Sequence, residues 1–263
     1  DVRYTLICEE PHQHHDSRQG AVMTHDAAKP QDPGAVGHRP ARLAQLYGAA
    51  VGPIEIMQRS YLAHNSFGTE RLATLRHADV TDPASNPRLW AMTLSNLPDE
   101  FIGPGEVASQ GELALHAALV LYATHQQAQT RPMHTSAEKV PPAERVKERR
   151  RVSFGHAVRR LAQIRGTGGQ WDAGSITRFE ALSGAHDHAA RVVALRRLIT
   201  LLRGEAIPLD YGQLACDLYD LNDARRRAEV QLRWGRDLHR KLPSDDQPAV
   251  AEASAQADAN RAN

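Results

Sequence analysis

The 263 residues carry 32 Lys or Arg against 31 Asp or Glu, a formal charge of +1, with 41% apolar and only 5% aromatic side chains. That length suffices for one large core or two small ones, and a core of Leu, Val, Ala and Ile favours packed helices over an aromatic-rich β sandwich. Cys8 and Cys216, far apart in the chain, suggest no disulfide and so a reducing cytoplasm, and the longest nearly uncharged apolar run, "LALHAALVLYA" at 113–123, is shorter than the ~20 residues of a membrane span.

Residues 1–40 are rich in His, Asp, Pro and Gly without an apolar period, and read as a disordered tail. Residues 1–22 lack the charged-then-apolar order of a secretory signal. Met23 is a candidate natural start, with the preceding residues an extension. Order is expected from Ala41, in a first helical bundle over 41–130. Its helices fall at roughly 54–65, 69–78, 87–96 and 110–129, with Pro53 suited to a helix start and "DPASNP" a turn. The stretch 110–129 is apolar on most faces, as a central helix should be.

The segment 131–152 has no apolar stripe, several prolines and many charges, and reads as a basic linker loop. A second bundle is expected over 153–242. Ser153 is placed to cap a helix carrying Phe154, Ala157, Val158, Leu161 and Ala162 on one face, closed by Gly166. "GTGGQ" is a turn, since no Lys-Ser/Thr follows to make a phosphate loop. "SITRFEALSG" is a short helix, and Asp187 caps a longer one with Val192, Leu195, Leu198, Ile199 and Leu202 at helical spacing. Helices at 211–221 and about 223–241 follow, then a frayed tail over 243–263. The expected fold is therefore all-α: two packed helical bundles joined by a basic loop.

The near-neutral total conceals a dipole. Residues 131–203 hold 15 Lys or Arg against 6 Asp or Glu, a net +9; residues 223–241 hold 7 against 3, a net +4; residues 1–110 stand at −4. Such asymmetry points to a polyanionic partner for one half. In the last helix, a 100° projection places Arg226, Arg233 and Arg240 in one row, flanked by Arg225 and Arg236, opposite Val230, Trp234 and Leu238. Arg196 and Arg203 share a shoulder of the 187–203 stripe, and Arg159 and Arg160 flank that of 153–165. A solvated surface is the usual fate of a charged helix face. Here three such helices lie in one half, with Arg far outnumbering Lys, and Arg is the better partner for phosphate and for base faces.

Three polar clusters invite other chemistry. His12, His14 and His15 in "PHQHH" lie in a tail without a partner set. His186-Asp187, with His156 before it and Asp210 or Asp217 after it, has the residue order of an HD-type metal phosphohydrolase. Gly184 just before that pair instead suits Asp187 as a helix cap. Cys216 has apolar neighbours and reads as a small core residue.

The segments "SFGHAVRRLA", "RFEALSGAHDHAARVVALRRLITLLRGEAIPLDYGQLACDLYDL" and "VQLRWGRDLHR" resemble the CasB family, the small subunit of the type I-E CRISPR Cascade complex. "NPRLWAMTLSNLP" and "GELALHAALVLYATHQQ" fit the same order upstream. The resemblance covers about 86–241 well and about 53–85 loosely. It implies an all-helical protein with no active site and no cofactor. The implied partners are the Cascade backbone subunits, the large subunit and a second copy of the chain. The implied ligands are the guide RNA–target DNA hybrid and the displaced single strand of the R-loop, with no membrane involved. By position it implies nucleic-acid contact at Arg159, Arg160, Arg178, Arg196 and Arg197. It implies the same in the basic loop for Lys139, Arg145, Lys147, Arg149, Arg150 and Arg151, and around the last helix for Arg225, Arg226, Arg227 and Arg233. A stand-alone helical DNA- or RNA-binding protein is the alternative from the same charge pattern, with the HD-type hydrolase behind it.

Overall fold

The computed structural model describes residues 33–139 and 141–240. The tract of His12, His14 and His15, Cys8, Met23 and the expected C-terminal tail 243–263 lie outside the described residues. Within them the chain is all-α, as expected. In order come α1 (Pro33–Leu62), α2 (Ser66–Arg76), α3 (Trp90–Thr93, between two 3-10 turns), α4 (Gln110–Gln126) and α5 (Pro142–Arg151). Then follow α6 (Phe154–Arg165), α7 (Ala173–Ser183), α8 (His188–Gly204), α9 (Tyr211–Leu221) and α10 (Ala224–His239).

Two differences from the sequence reading have physical causes. Helix α1 begins at Pro33, so 33–40 is not part of a disordered tail, and it runs through Pro40 and Pro53. An interior proline removes one backbone hydrogen bond, a cost that tertiary contacts must offset. Arg39 supplies one by pairing with Asp220 on α9, a long-range charge contact with no apolar period to announce it. The basic loop likewise contains a helix, α5, with Pro142 in its first turn, Glu144 behind it and Arg149, Arg150 and Arg151 in its last turn. Those placements complement the helix dipole. None of its residues is buried, so it shows no stripe for a periodicity argument to find.

Helix α4 is the axis. Every residue from Ala114 to Gln126 is buried, with α1, α2, α8 and α9 packed around it. Its start is fixed by a capping box: Ser109 Oγ accepts from Glu112 N, and the Glu112 carboxylate accepts from Ser109 N. Because α1 and α4 from the first half pack on α8 and α9 from the second, the expected bundles share one continuous apolar core. A short parallel bridge between His134 and Leu209 adds a backbone tie between the halves.

Helix α10 packs against α6 and α9 and carries the arginines, so its seating positions the candidate site. Val230, Trp234 and Leu238 are buried, as the projection predicts. Trp234 meets Phe154 of α6 at a ring separation of 4.8 Å, and Phe154 stacks on Phe179 of α7. The approach is close enough to demand glycine at 155, since a Cβ there would lie 2.2 Å from the Trp234 carbonyl oxygen.

Candidate nucleic-acid interface

The last turn of α5 and the outer face of α10 converge on one cleft of about 590 Å³. Arg149 and Arg150 line it from α5; Arg233, Arg236 and Arg240 line it from α10. Asp217, Glu229 and Asp237 are the carboxylates on its wall, so positive charge is in excess. Two cationic segments separated by about eighty positions in the sequence thus form one surface. The join is local chemistry at Ser153. Its hydroxyl caps α6 by accepting from His156 N at 3.3 Å and donates to Arg150 O at 2.9 Å, holding α5 against the start of α6.

The charges in the cleft are not equivalent. Asp217 is buried, and it accepts from Trp234 Nε1 at 2.6 Å, from Gln213 Nε2 at 2.7 Å and from Arg233. Burial pushes Asp217 above the ordinary carboxylate range; Arg233, Gln213 and Trp234 oppose that. Asp237, also on the wall, is raised by burial, against the neighbouring Ser153 hydroxyl and the charges of Arg233, Arg150 and Arg240. Arg233 lines the cleft while its guanidinium pairs with the buried Asp217. Arg226 pairs with Glu229 at 2.9 Å, Lys139 with Glu55 at 2.9 Å and Arg151 with Glu148 at 3.7 Å. These three pairs are solvent-accessible. Exposed pairs contribute little to stability, so a phosphate can compete for these cations at small cost.

The remaining expected residues divide by burial. Arg159 is only 3% exposed: Nη1 donates to Leu238 O at 3.1 Å and the guanidinium lies over Trp171. It is an internal brace for the end of α10, not a surface contact, because the α6–α10 packing closes over it. Its neighbour Arg160 is exposed. Arg196 is half-buried and donates to Arg76 O at 3.1 Å, tying α8 to the end of α2, while Arg197 is exposed. Arg227 Nε donates to Leu221 O at 3.2 Å, and Arg178 donates to Gly174 O at 2.8 Å within its own helix. Arg160, Arg178, Arg196, Arg197, Arg225 and Arg227 do not line the cleft. Arg145 and Lys147 lie on α5 beside it. Arg236 and Arg240, present in the helical projection but absent from the family-derived set, do line it.

The carboxylates of the metal-hydrolase pattern are used otherwise. Asp187 caps α8, accepting from Ala190 N at 2.7 Å. Asp210 caps α9, accepting from Gln213 N at 3.0 Å, and also accepts from the Tyr47 hydroxyl at 2.9 Å. Asp217 holds Trp234 and Arg233. Among the described residues no three His, Cys, Asp or Glu are placed to hold a metal ion. Cys216 is buried, its thiol directed at Leu43 O and pushed up by burial, as suits a core residue. No helix among the described residues is long and apolar enough to cross a membrane.

The chain is similar to known proteins. The family model described as CRISPR-associated protein Cse2 matches residues 71–239. The crystal structure of CasB from Thermobifida fusca is similar at 29% identity, with a TM-score of 0.57 over 74% of this chain and 98% of that one. CasB from M. ruber is similar at 21% identity, with a TM-score of 0.47 over 71% of this chain and 88% of that one. No curated protein matches the chain.

Proposed function

The chain belongs to the CRISPR-associated Cse2 family, and from that premise we propose that it is the non-catalytic small subunit of a type I-E Cascade surveillance complex, working in the cytoplasm. In this reading its basic surface holds nucleic-acid backbone, the displaced strand and the target strand, and so stabilises the R-loop in antiviral defence. The observation that supports it is the convergence of α5 and α10 on one arginine-lined cleft.

The physics suits the task. Exchange of a DNA duplex for an RNA–DNA hybrid plus a free strand is nearly balanced, so modest contacts to sugar–phosphate backbone tip it. Arginine contacts to phosphate carry no sequence information, as a guide-directed machine requires. The cations of the cleft sit on two helices, α5 and α10, that both contribute to its wall. Partners under this reading are the backbone subunits, the large subunit and a second copy of the chain.

The test is reconstitution with guide RNA and the other subunits, using the chain with Arg150→Glu, Arg236→Glu and Arg240→Glu together. The complex should assemble, and the R-loop on a matched target should dissociate faster than with the unaltered chain. An R-loop lifetime unchanged by all three reversals would overturn the assignment of this cleft.

A further inference from the structure

The C-terminal end of α10, the helix that carries the cleft's Arg236, also carries an aromatic surface, whose two rings are not part of the cleft wall. His239 is exposed and lies nearly parallel to Trp171, with ring centroids 5.7 Å apart and planes inclined by 21°. Trp171 follows the turn closed by Gln170 N donating to Thr167 O at 3.0 Å, and it packs half-buried against the core. The buried Arg159 joins both partners of the stack. Its guanidinium lies 5.1 Å from the Trp171 centroid, and its Nη1 holds Leu238 O, the carbonyl next to His239. The indole plane and the last turn of α10 are therefore fixed by one side chain.

His239 adjoins Arg240 in sequence and lies one turn beyond Arg236, and both of these arginines line the cleft. A flat aromatic face and two of the cleft's arginines are thus carried by the same end of α10. That combination is what a single strand engages: phosphates track the charges, and an unstacked base lies on a π face irrespective of its identity. A duplex cannot use such a face, because neighbouring bases in the stack already cover its own.

Resting on the reading of the cleft as a nucleic-acid interface, we infer that His239 on Trp171 is a stacking shelf for one unpaired base, and that the cleft takes single-stranded nucleic acid in preference to duplex. The shelf adds non-electrostatic affinity to a surface otherwise governed by charge, and it selects the displaced strand over the guide–target hybrid.

The experiment uses the full chain and three labelled probes of equal length: oligothymidine, an oligomer of abasic deoxyribose phosphates, and a duplex. Anisotropy titrations at fixed salt should show oligothymidine bound roughly tenfold more tightly than the abasic oligomer, the scale of one stacked base. His239→Ala should remove most of that difference and His239→Phe should keep it, while both variants remain folded, since His239 is exposed and lies outside the core. Arg236→Glu with Arg240→Glu should weaken both single-stranded probes alike. Equal binding of oligothymidine and the abasic oligomer, or a preference that survives His239→Ala, would overturn the shelf and leave the cleft standing. Failure of all three probes to bind would overturn the cleft reading and the shelf with it.

Discussion

The indole N–H of Trp234 donates to Asp217 Oδ2 at 2.6 Å, while the other carboxylate oxygen takes Arg233 and Gln213. One buried carboxylate on α9 therefore orients the core tryptophan of α10 and the arginine next to it. Asp217 is 3% exposed at its side chain and Arg233 43%, so the pair bridges the interior and the cleft. Replacing Asp217 by Ala leaves a buried N–H and a guanidinium without their acceptor. Loss of about 2–3 kcal/mol is expected, below the ~3–5 kcal/mol of a fully buried pair because water reaches Arg233. Asp217→Asn, which keeps a carbonyl for Trp234, should lose less. Urea denaturation of the three proteins checks the order.

Gly155 sits where α6 crosses α10, and a Cβ there would meet the Trp234 carbonyl oxygen at 2.2 Å. Backbone cannot yield as a side-chain tip can. Gly155→Ala should cost about 1–3 kcal/mol, the range for overpacking a tight interface. It should also loosen the Phe154–Trp234 contact, visible as a change in tryptophan emission. A midpoint within error of the unaltered protein would show that the helices separate at no cost.

Adjacent arginines should behave in opposite ways. Arg159→Ala removes a buried brace from Leu238 O and Trp171, so thermal stability should fall, by about 2 kcal/mol if the cost resembles that of a charged hydrogen bond removed together with its packing. Arg160→Ala, at an exposed site, should leave stability within about 0.5 kcal/mol. Differential scanning calorimetry of both variants decides between them.

Binding of a single strand should follow charge in the cleft. The slope of log affinity against log salt becomes shallower by about 0.7 for every phosphate that the protein no longer neutralises. Arg240→Gln and Arg236→Gln should each reduce the slope by about that amount. Arg233→Gln should change it little, because Asp217 already holds that guanidinium. Salt titrations by anisotropy separate the three.

His134 is buried beside Tyr211, whose N–H donates to His134 Nδ1 at 3.2 Å. Burial depresses its pKa to about 4, with Glu55 opposing and Lys139 assisting. The folded protein keeps His134 neutral where the unfolded chain, titrating near 6.5, takes up a proton. Its contribution is therefore complete above about pH 6.5 and is lost as pH falls from there toward about 4, at about 1.4 kcal/mol per pH unit. His125, depressed to about 3 by burial, adds a second loss over a similar range, whereas Asp210, raised to about 6 by burial, acts in the opposite sense. Comparing unaltered protein with His134→Gln isolates one group: the stability difference between them should narrow by that slope on acidification. A difference constant from about pH 7 to about pH 4.5 would show that His134 does not titrate as its burial requires.

Much of the fold was legible in the chain because its signals are local. Ser153 and Asp187 cap helices through hydrogen bonds to residues three positions on. Val230, Trp234 and Leu238 share a face by helical spacing alone. Helix α5 escaped detection because it buries nothing and so leaves no apolar period.

Helices throughout the described residues and a cationic second half follow from the order of residues alone, since periodicity, capping and net charge need only neighbours within a turn or two. Which arginines face outward was decided by the tertiary structure alone. Arg159 differs from Arg160, and Arg233 from Arg236, because Leu238 O, Trp171 and Asp217 reach them from other helices or the loop between them. A guanidinium's fate depends on the acceptors that packing brings within hydrogen-bond distance, and those lie too far along the chain for spacing to reveal.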